Sequence, residues 1–372
     1  MDFSYTETQT MVRDTLARFL ADRYDHETRM KIARGDGWSP DIWRAFAEEL
    51  GILAAPFAES LGGLGGGAVE NMIVMEELGK ALVLEPYLST VVIGGGFARE
   101  TGRTDLIESI IAGTTTTAFA WAEPKGRFDP ANIATAAKKS GGGWTLSGHK
   151  AVVRDAPFAS HLIVTARTGG GQREQAGVSL FLVESGAKGV VRRDYPTVDG
   201  GRAAEVYFEN AEVPGEALLG EADGAFPLVS RIIDEATTAL CAEAVGVLRE
   251  LHRQTQDYAQ QRKQFGQPIS KFQVLQHRMV DMFMEAEQAA SMALMATLKL
   301  PDPAAVSMAK AKIGKGLTLS GQEAIQIHGG MGMTDELAVG HYFKRATMIE
   351  SQFGNTDWHL QRYEALAFGE AA

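Results

Sequence analysis

The sequence predicts a multidomain α+β chain. An N-terminal α-helical domain is expected over residues 1–113, a middle β-barrel or β-sandwich domain over 114–224, and a C-terminal four-helix bundle over 225–372. Three observations predict it. Apolar residues recur at helical spacing up to Gly113, a series of β-branched and aromatic stretches follows with no helix between them, and a helical stripe returns after Gly224.

In the first domain Met11, Leu16, Phe19 and Leu20 share one helical face, and similar runs cover Pro40 to Leu50, Val69 to Leu82 and Thr104 to Ile111. Between them lies a glycine-rich loop, in which Gly63-Leu64-Gly65-Gly66-Gly67-Ala68 formally matches G-x-G-x-x-A. A dinucleotide site needs a strand before that motif. The preceding residues read as helical, so a surface or substrate-facing loop is expected instead.

The middle segment opens with "TTTTAFAWAEP" and continues through "GGGWTLSGHKAVV", "HLIVTAR", "VSLFLVE" and "AAEVYFENAEV". Gly, Pro, Asn and Asp separate these stretches at the spacing of an all-β sandwich or barrel, and the lack of intervening helices argues against βαβ units. In the last segment Val229, Ile232, Ile233, Ala236, Leu240, Ala244, Val247, Leu248 and Leu251 keep one stripe over more than six turns. Further helical runs cover about 270–298, 303–327 and 335–350, with a last one after Trp358. Short Gly/Pro connections between long helices indicate an antiparallel bundle.

Composition narrows the function classes. The 36 Lys and Arg against 47 Asp and Glu leave a formal net charge of −11. That surface repels nucleic acid and anionic membranes, so an anionic ligand would need local basic groups. The single cysteine, Cys241, cannot form an intrachain disulfide, which fits a reducing cytoplasm. The first residues contain no apolar signal core, and no run approaches the roughly 20 apolar residues of a membrane span. The 8 histidines show no metal-binding spacing, so no metal is expected. Neither a G-x-S-x-G elbow nor a P-loop is present.

Several motifs admit two readings. In Arg262-Lys263-Gln264-Phe265-Gly266, basic residues could complement a helix dipole with Gly266 as C-cap. Alternatively, Arg262 offers a fork to a phosphate and Phe265 a face to a ring. Gln273 and Gln276 are either ordinary helix-surface glutamines or donors to pyrophosphate or ribose oxygens. After Gln326-Ile327-His328 come Gly329 and Gly330, one more glycine than a C-cap needs, which would let a ligand approach the backbone closely. His328 reads as a packed helix-end histidine. Near the C-terminus, Glu350, Asp357 and His359 surround Phe353-Gly354 as titratable candidates.

With "QRKQFGQPISKFQVLQH" followed by "QIHGGMGM" after about fifty residues, the chain resembles the acyl-CoA dehydrogenase flavoprotein family. The resemblance covers nearly the whole chain. It implies FAD as cofactor and an acyl-CoA thioester as substrate, oxidised to the α,β-enoyl form as a glutamate removes the α-proton. It also implies an oligomer with FAD at subunit interfaces and an electron-transfer flavoprotein as acceptor. Residue by residue, Arg262, Phe265 and Gln273 match positions that touch the FAD pyrophosphate and adenosine. Gln326, Gly329 and Gly330 match the second element at that end of the cofactor, and in the family all of these reach across to the neighbouring subunit's FAD.

The flavin-ring side departs from the pattern. Where the family reads Thr-Glu-Pro-Gly-x-Gly-Ser-Asp, this chain reads Ala122-Glu123-Pro124-Lys125-Gly126-Arg127-Phe128-Asp129. The family's Trp-x-Thr falls on Val152-Val153-Arg154. Counted from Gln326, the usual glutamate falls on Phe353, so the catalytic base is unassigned. A second family position for the base falls on Ala236, beside Glu235, and one residue is about 100° around a helix. Glu235 is therefore a base only if the register slips by one. The pattern resembles the small subunit of a heteromeric α2β2 pair of the pimeloyl-CoA dehydrogenase type, in which a homologous partner supplies base and ring pocket. Two alternatives stay open: a self-sufficient homo-oligomer with Glu235, Glu350 or Asp357 as an unusual base, and a non-catalytic binding or scaffolding relative. In the heteromeric reading, Glu350, Asp357 and His359 are helix-end, solvent-facing groups.

Overall fold

The computed structural model describes residues 4–369. Local sequence signals set the first helices. Helix α1 (Glu7–Arg23) starts at a reciprocal cap, in which Gln9 N–H donates to Thr6 Oγ1 (3.2 Å) and Thr6 N–H donates to Gln9 Oε1 (3.0 Å). Asp25 caps α2 (His26–Arg34), and Ser39 caps α3 (Pro40–Glu48), with Pro40 at its first position. Helix α4 (Ala68–Ala81) follows the glycine loop. A short 3₁₀ turn, Glu59–Leu61, precedes that loop rather than a strand, which removes the Rossmann reading on geometric grounds. A π-type segment over Leu88–Gly94 runs into α5 (Gly95–Thr101), and α6 (Thr104–Ile111) completes this helical part.

Eight strands follow: β1 (Thr117–Ala120), β2 (Ala136–Ser140), β3 (Gly143–Arg154), β4 (His161–Arg167), β5 (Val178–Glu184), β6 (Val190–Pro196), β7 (Arg202–Pro214) and β8 (Leu218–Leu219). They form one mixed sheet in the order β6-β7-β3-β2-β4-β5-β8, with β1 beside β4. Of the barrel and the sandwich expected, the closed barrel does not form. Strand β5 takes one edge of β4, while β1 takes His161 to Val164 of the other, so β2 meets β4 only at Ala136–Arg167. The two halves of the sheet touch at that pair and share a core that includes Leu146, Val206, Leu162 and Phe181. Parallel pairing of β1 with β4 needs no helix here, because the connection runs through the β2–β3 hairpin.

Among the described residues the last part holds the five helical runs expected: α7 (Phe226–Gln261), α8 (Gln273–Lys299), α9 (Pro303–His328), α10 (Ala338–Ser351) and α11 (Thr356–Phe368). Between α7 and α8 lies a small hairpin, β9 (Lys263–Gln264) with β10 (Gln267–Pro268). Gly266 is thus no helix cap. Arg262 ends α7 in extended conformation, and Phe265 (φ 51°) and Gly266 (φ 79°) make a tight two-residue turn.

The first and last groups of helices share one apolar core. Helices α4 and α7 approach until a Cβ on Gly79 would lie 2.2 Å from the Glu243 carbonyl oxygen, and one on Gly246 2.1 Å from that of Glu76. A buried ionic cluster joins this core to the sheet. Asp199, in the β6–β7 turn, accepts from Arg154 at the end of β3 and from Arg345 on α10, each at 2.8 Å. Arg345 also forks onto Glu243 of α7, while Arg29 of α2 donates to the Asp199 carbonyl at 2.6 Å. Burial opposes ionisation of Asp199, yet the two guanidiniums hold its carboxyl far below the ordinary range.

Candidate active site

The end of β1, the end of β3 and the C-terminal turn of α10 enclose a cavity of about 400 Å³. Phe119, Trp121, Phe128 and Phe353 supply its aromatic walls, and Val152 sits at its rim, largely exposed. The Trp121 and Phe353 rings stack with centroids 6.2 Å apart. Phe353 is 8 % exposed and has φ 59°, the left-handed region that a bulky residue occupies only when its surroundings hold it there. Those surroundings are specific. The buried Lys310 ammonium donates to the carbonyls of Glu350 (2.9 Å) and Gly354 (2.7 Å), closing the end of α10. Burial pushes the Lys310 pKa down to about 8.

His359 supplies the second clamp. It is 1 % exposed, which corrects the expectation that it is a solvent-facing group. Its Nε2 lies 3.2 Å from the Phe353 carbonyl, and its Nδ1 3.3 Å from Ser307 Oγ. A carbonyl can only accept, so Nε2 carries the proton and Nδ1 takes the hydroxyl's. That neutral form is enforced by burial, then by the Lys310 and Arg362 charges, which push the His359 pKa down to about 3.

The polar groups of the cavity are mostly engaged. Glu123, the one carboxylate among its lining residues, bonds Lys150 Nζ (2.9 Å) and the N–H groups of Ala134 (2.7 Å) and Thr135 (3.0 Å). Burial alone would raise the Glu123 carboxyl, but the ammonium and these donors outweigh it and hold it below the usual carboxylate range. Such a group is a poor proton acceptor near neutral pH. Ser89 donates to Asp155 and Thr197 to Asp199, so neither hydroxyl faces the cavity as a free donor. Ala122, Phe128 and Val152 offer only hydrocarbon.

The other carboxylates considered from sequence lie elsewhere. Glu235 lines a separate cleft of about 300 Å³ with Gly67 and Arg231, and both its oxygens accept from Arg99 Nη2, at 3.1 and 3.0 Å. Its neighbour Ala236 is fully buried. Glu350 caps α11 by accepting from Thr356 N–H at 2.9 Å. Asp357 is exposed and lines a cleft with Arg173 and Trp358. None of the three lines the cavity that Phe353 helps to close.

A second region lies at the far ends of α7 and α9. Arg262, Gly329 and Gly330 border one shallow depression, floored by Tyr258, Ile269 and Ile327. His328 packs there as expected, stacked on Tyr258 at 4.3 Å with Nδ1 2.8 Å from the Ala324 carbonyl. Phe265 projects from the hairpin turn at 90 % exposure, its ring edge-to-face with Phe272. Gln273 opens α8 and Gln326 lies in the last turn of α9, both exposed. Among the described residues, no side-chain hydrogen bond or ion pair engages Arg262, Gln273 or Gln326. This ledge and the Phe353 cavity share no lining residue. No cluster of His, Cys, Asp and Glu suited to a metal ion occurs among the described residues.

Comparison with known proteins places the whole chain. The acyl-CoA dehydrogenase N-terminal domain family matches residues 6–101, the middle domain family 118–211 and the C-terminal domain family 226–365. The chain is 30 % identical over 374 residues to the probable acyl-CoA dehydrogenase YngJ of Bacillus subtilis (strain 168), covering 96 % of this chain and 97 % of that protein. Among solved structures, PigA with FAD and proline superposes with a TM-score of 0.91 at 25 % identity over the full length of both chains. The ChsE4–ChsE5 complex from Mycobacterium tuberculosis gives 0.88 at 25 % identity, also over both full lengths. The chain therefore belongs to the acyl-CoA dehydrogenase family, FAD-dependent oxidoreductases that act on CH–CH bonds.

Proposed function

We propose that this chain is one subunit of a heteromeric acyl-CoA dehydrogenase, an α2β2 assembly that forms the α,β-double bond of an acyl-CoA thioester. The observation that carries the proposal is Phe353. It closes the cavity at the position that the family resemblance assigns to the base, and the carboxylate beside it, Glu123, is locked into an ion pair. An α-proton of a thioester is weakly acidic, so its removal needs a carboxylate in a water-excluding pocket. Phe353 and Trp121 can exclude water but cannot accept a proton. The base then comes from a homologous partner.

The two regions fit FAD unequally. On the ledge, Arg262 presents a fork for phosphate, Gly329 and Gly330 carry no side chain to keep a ligand from the backbone, and the exposed Phe265, Gln273 and Gln326 can meet an adenosine. These are the residues that would hold the cofactor, and all are exposed. In the cavity, Ala122 and Phe128 stand where the family pattern carries hydroxyls, Val152 where it carries the tryptophan that covers the ring, and Arg154 where it carries a threonine. FAD, when bound in the assembly, supplies the hydride acceptor. Val274, Val280, Phe283, Met284 and Leu298 leave an exposed apolar row on α8, next to the ledge, which suits burial against a second subunit. The ChsE4–ChsE5 complex, itself made of two components, supports the same reading by analogy.

An electron-transfer flavoprotein as acceptor and a cytoplasmic setting belong to this proposal. No helix among the described residues is long and apolar enough to cross a membrane. Co-expression with homologous neighbouring-gene products tests the central claim. A stable complex that holds FAD and oxidises acyl-CoA, from a chain that does neither alone, is the expected result. Stoichiometric FAD and turnover from the lone chain would establish the self-sufficient homo-oligomer instead, and no flavin absorbance near ~450 nm with any partner would establish a non-catalytic relative.

A further inference from the structure

Two side chains lining the Phe353 cavity keep a buried polar atom without a partner among the described residues, the acceptor Gln352 Oε1 and a donor on Arg154. Arg154 lines it from the end of β3 and gives Nη2 to Asp199 at 2.8 Å, while its Nη1 is buried with no partner among the described residues. A buried donor left unsatisfied is costly, and a guanidinium normally completes both arms of its fork. The local charge balance does not complete it. Asp199 is shared with Arg345, and Arg345 already takes both oxygens of Glu243. Asp155, the next acid, accepts from Ser89, and burial raises its pKa. Glu123 is held by Lys150. A second cation, Arg127, stands exposed at the rim and has no side-chain partner among the described residues. Most of the remaining wall is apolar, with Ile93, Phe119, Trp121, Phe128, Met348 and Phe353 among it, while Ser89, Thr197, Ser351 and Gln352 add polar groups.

A mostly apolar cavity with one unfilled cation at its wall and another at its mouth has a definite complement. We propose that this cavity binds a small carboxylic acid with an apolar body, its carboxylate on Arg154 and its chain among Trp121, Phe119 and Phe353. Its volume of about 400 Å³ lies within the roughly 300–1,000 Å³ of ordinary small-ligand pockets. The proposal rests on the reading that this subunit's own cavity does not hold a flavin ring. It adds a ligand to a site that the subunit reading would otherwise leave without one. An acid bound there would brace the end of α10 and the β3 end together, at the junction where Asp199 and Arg345 meet.

Isothermal calorimetry on the purified full-length chain, with decanoate and decanol as probes, decides it. Decanoate should bind at least about tenfold more tightly than decanol. Arg154→Gln should remove that preference, leaving decanol unchanged. Because Arg154 also supports Asp199, Val152→Trp provides an independent variant at the exposed rim, and it should abolish binding of both probes. Equal binding of the two probes, no binding of either, or decanoate affinity untouched by both variants would overturn the assignment. Flavin content measured on the same preparation separates the two claims. Stoichiometric FAD in the lone chain sinks the subunit reading, whereas a flavin-free chain that does not prefer decanoate sinks only this inference.

Discussion

The Phe353 cavity and the Arg262 ledge differ in what their polar groups already hold. Around the cavity, Glu123 holds Lys150, Arg345 forks onto Glu243, and His359 and Lys310 clamp the carbonyls flanking Phe353. On the ledge, the side chains of Arg262, Gln273 and Gln326 stand exposed and unengaged among the described residues. A buried polar group must be satisfied within the chain, so mutating its partner destabilises the fold. An exposed one costs little when free and remains available to another molecule. The polar groups around the cavity thus mostly serve stability and shape, Arg154 Nη1 and Gln352 Oε1 being left over, whereas those of the ledge stay free for the recognition proposed above.

That division can be broken by mutation, and the largest effect is expected at the junction behind the cavity. Arg345→Met leaves Glu243 without its fork and Asp199 with one guanidinium, and should cost about 3–5 kcal/mol in a urea-denaturation midpoint analysis. A loss below about 1 kcal/mol would show that the cluster is not structural. Phe353→Ala comes next. It removes a ring packed on Trp121, and about 3 kcal/mol of stability should go with it; a neutral result would mean the cavity wall is not packed as described.

A third effect depends on pH. His359 has an ordinary value of 6.5 and a folded value pushed to about 3, so the unfolded chain binds its proton first. Its stabilising contribution is complete above about pH 6.5 and is lost as pH falls from there towards about 3. The slope should approach about 1.4 kcal/mol per pH unit for this one proton. Denaturation curves of the wild type and His359→Gln should differ by that slope over this window, and parallel profiles would contradict the buried neutral imidazole.

The smallest stability effect is expected on the ledge. Arg262→Ala and Gly330→Ala should each shift stability by no more than about 0.5 kcal/mol, since a Cβ at Gly330 meets open space. Both should nevertheless lower the FAD content of the assembled complex, read from flavin absorbance after gel filtration. If FAD content is unchanged, the ledge is not the recognition surface proposed here.

Much of the architecture is legible from periodicity. The stripe from Val229 to Leu251 places α7 before any contact is known, because residues at helical spacing must share one buried face. The β-rich stretches likewise identify the strands. Their assembly is not legible: whether β2 or β1 pairs with the upper half of β4 depends on long-range register, so an open mixed sheet stood in place of the expected barrel. Gly266 was ambiguous for a similar reason, since a glycine after basic residues serves a helix cap and a hairpin turn equally well.

At the site, the sequence by itself carries the proposal that the usual glutamate is missing, since the family register falls on Phe353. A phenylalanine at position 353 cannot accept a proton in any fold, and a count along the chain finds it. It also determined that Arg262, Gln273, Gln326, Gly329 and Gly330 form two motifs about fifty residues apart. Only the tertiary structure decided where the charges act. Glu123, Lys150, Asp199 and Arg154 come from distant segments, and their pairing depends on which strand ends and helix ends share one enclosed space. Burial had the same final say over His359, a histidine that reads as solvent-facing from its neighbours and becomes a neutral internal strut once α11 packs on α9. Periodicity reports one element at a time, whereas protonation and pairing depend on the dielectric and partners that several elements create together.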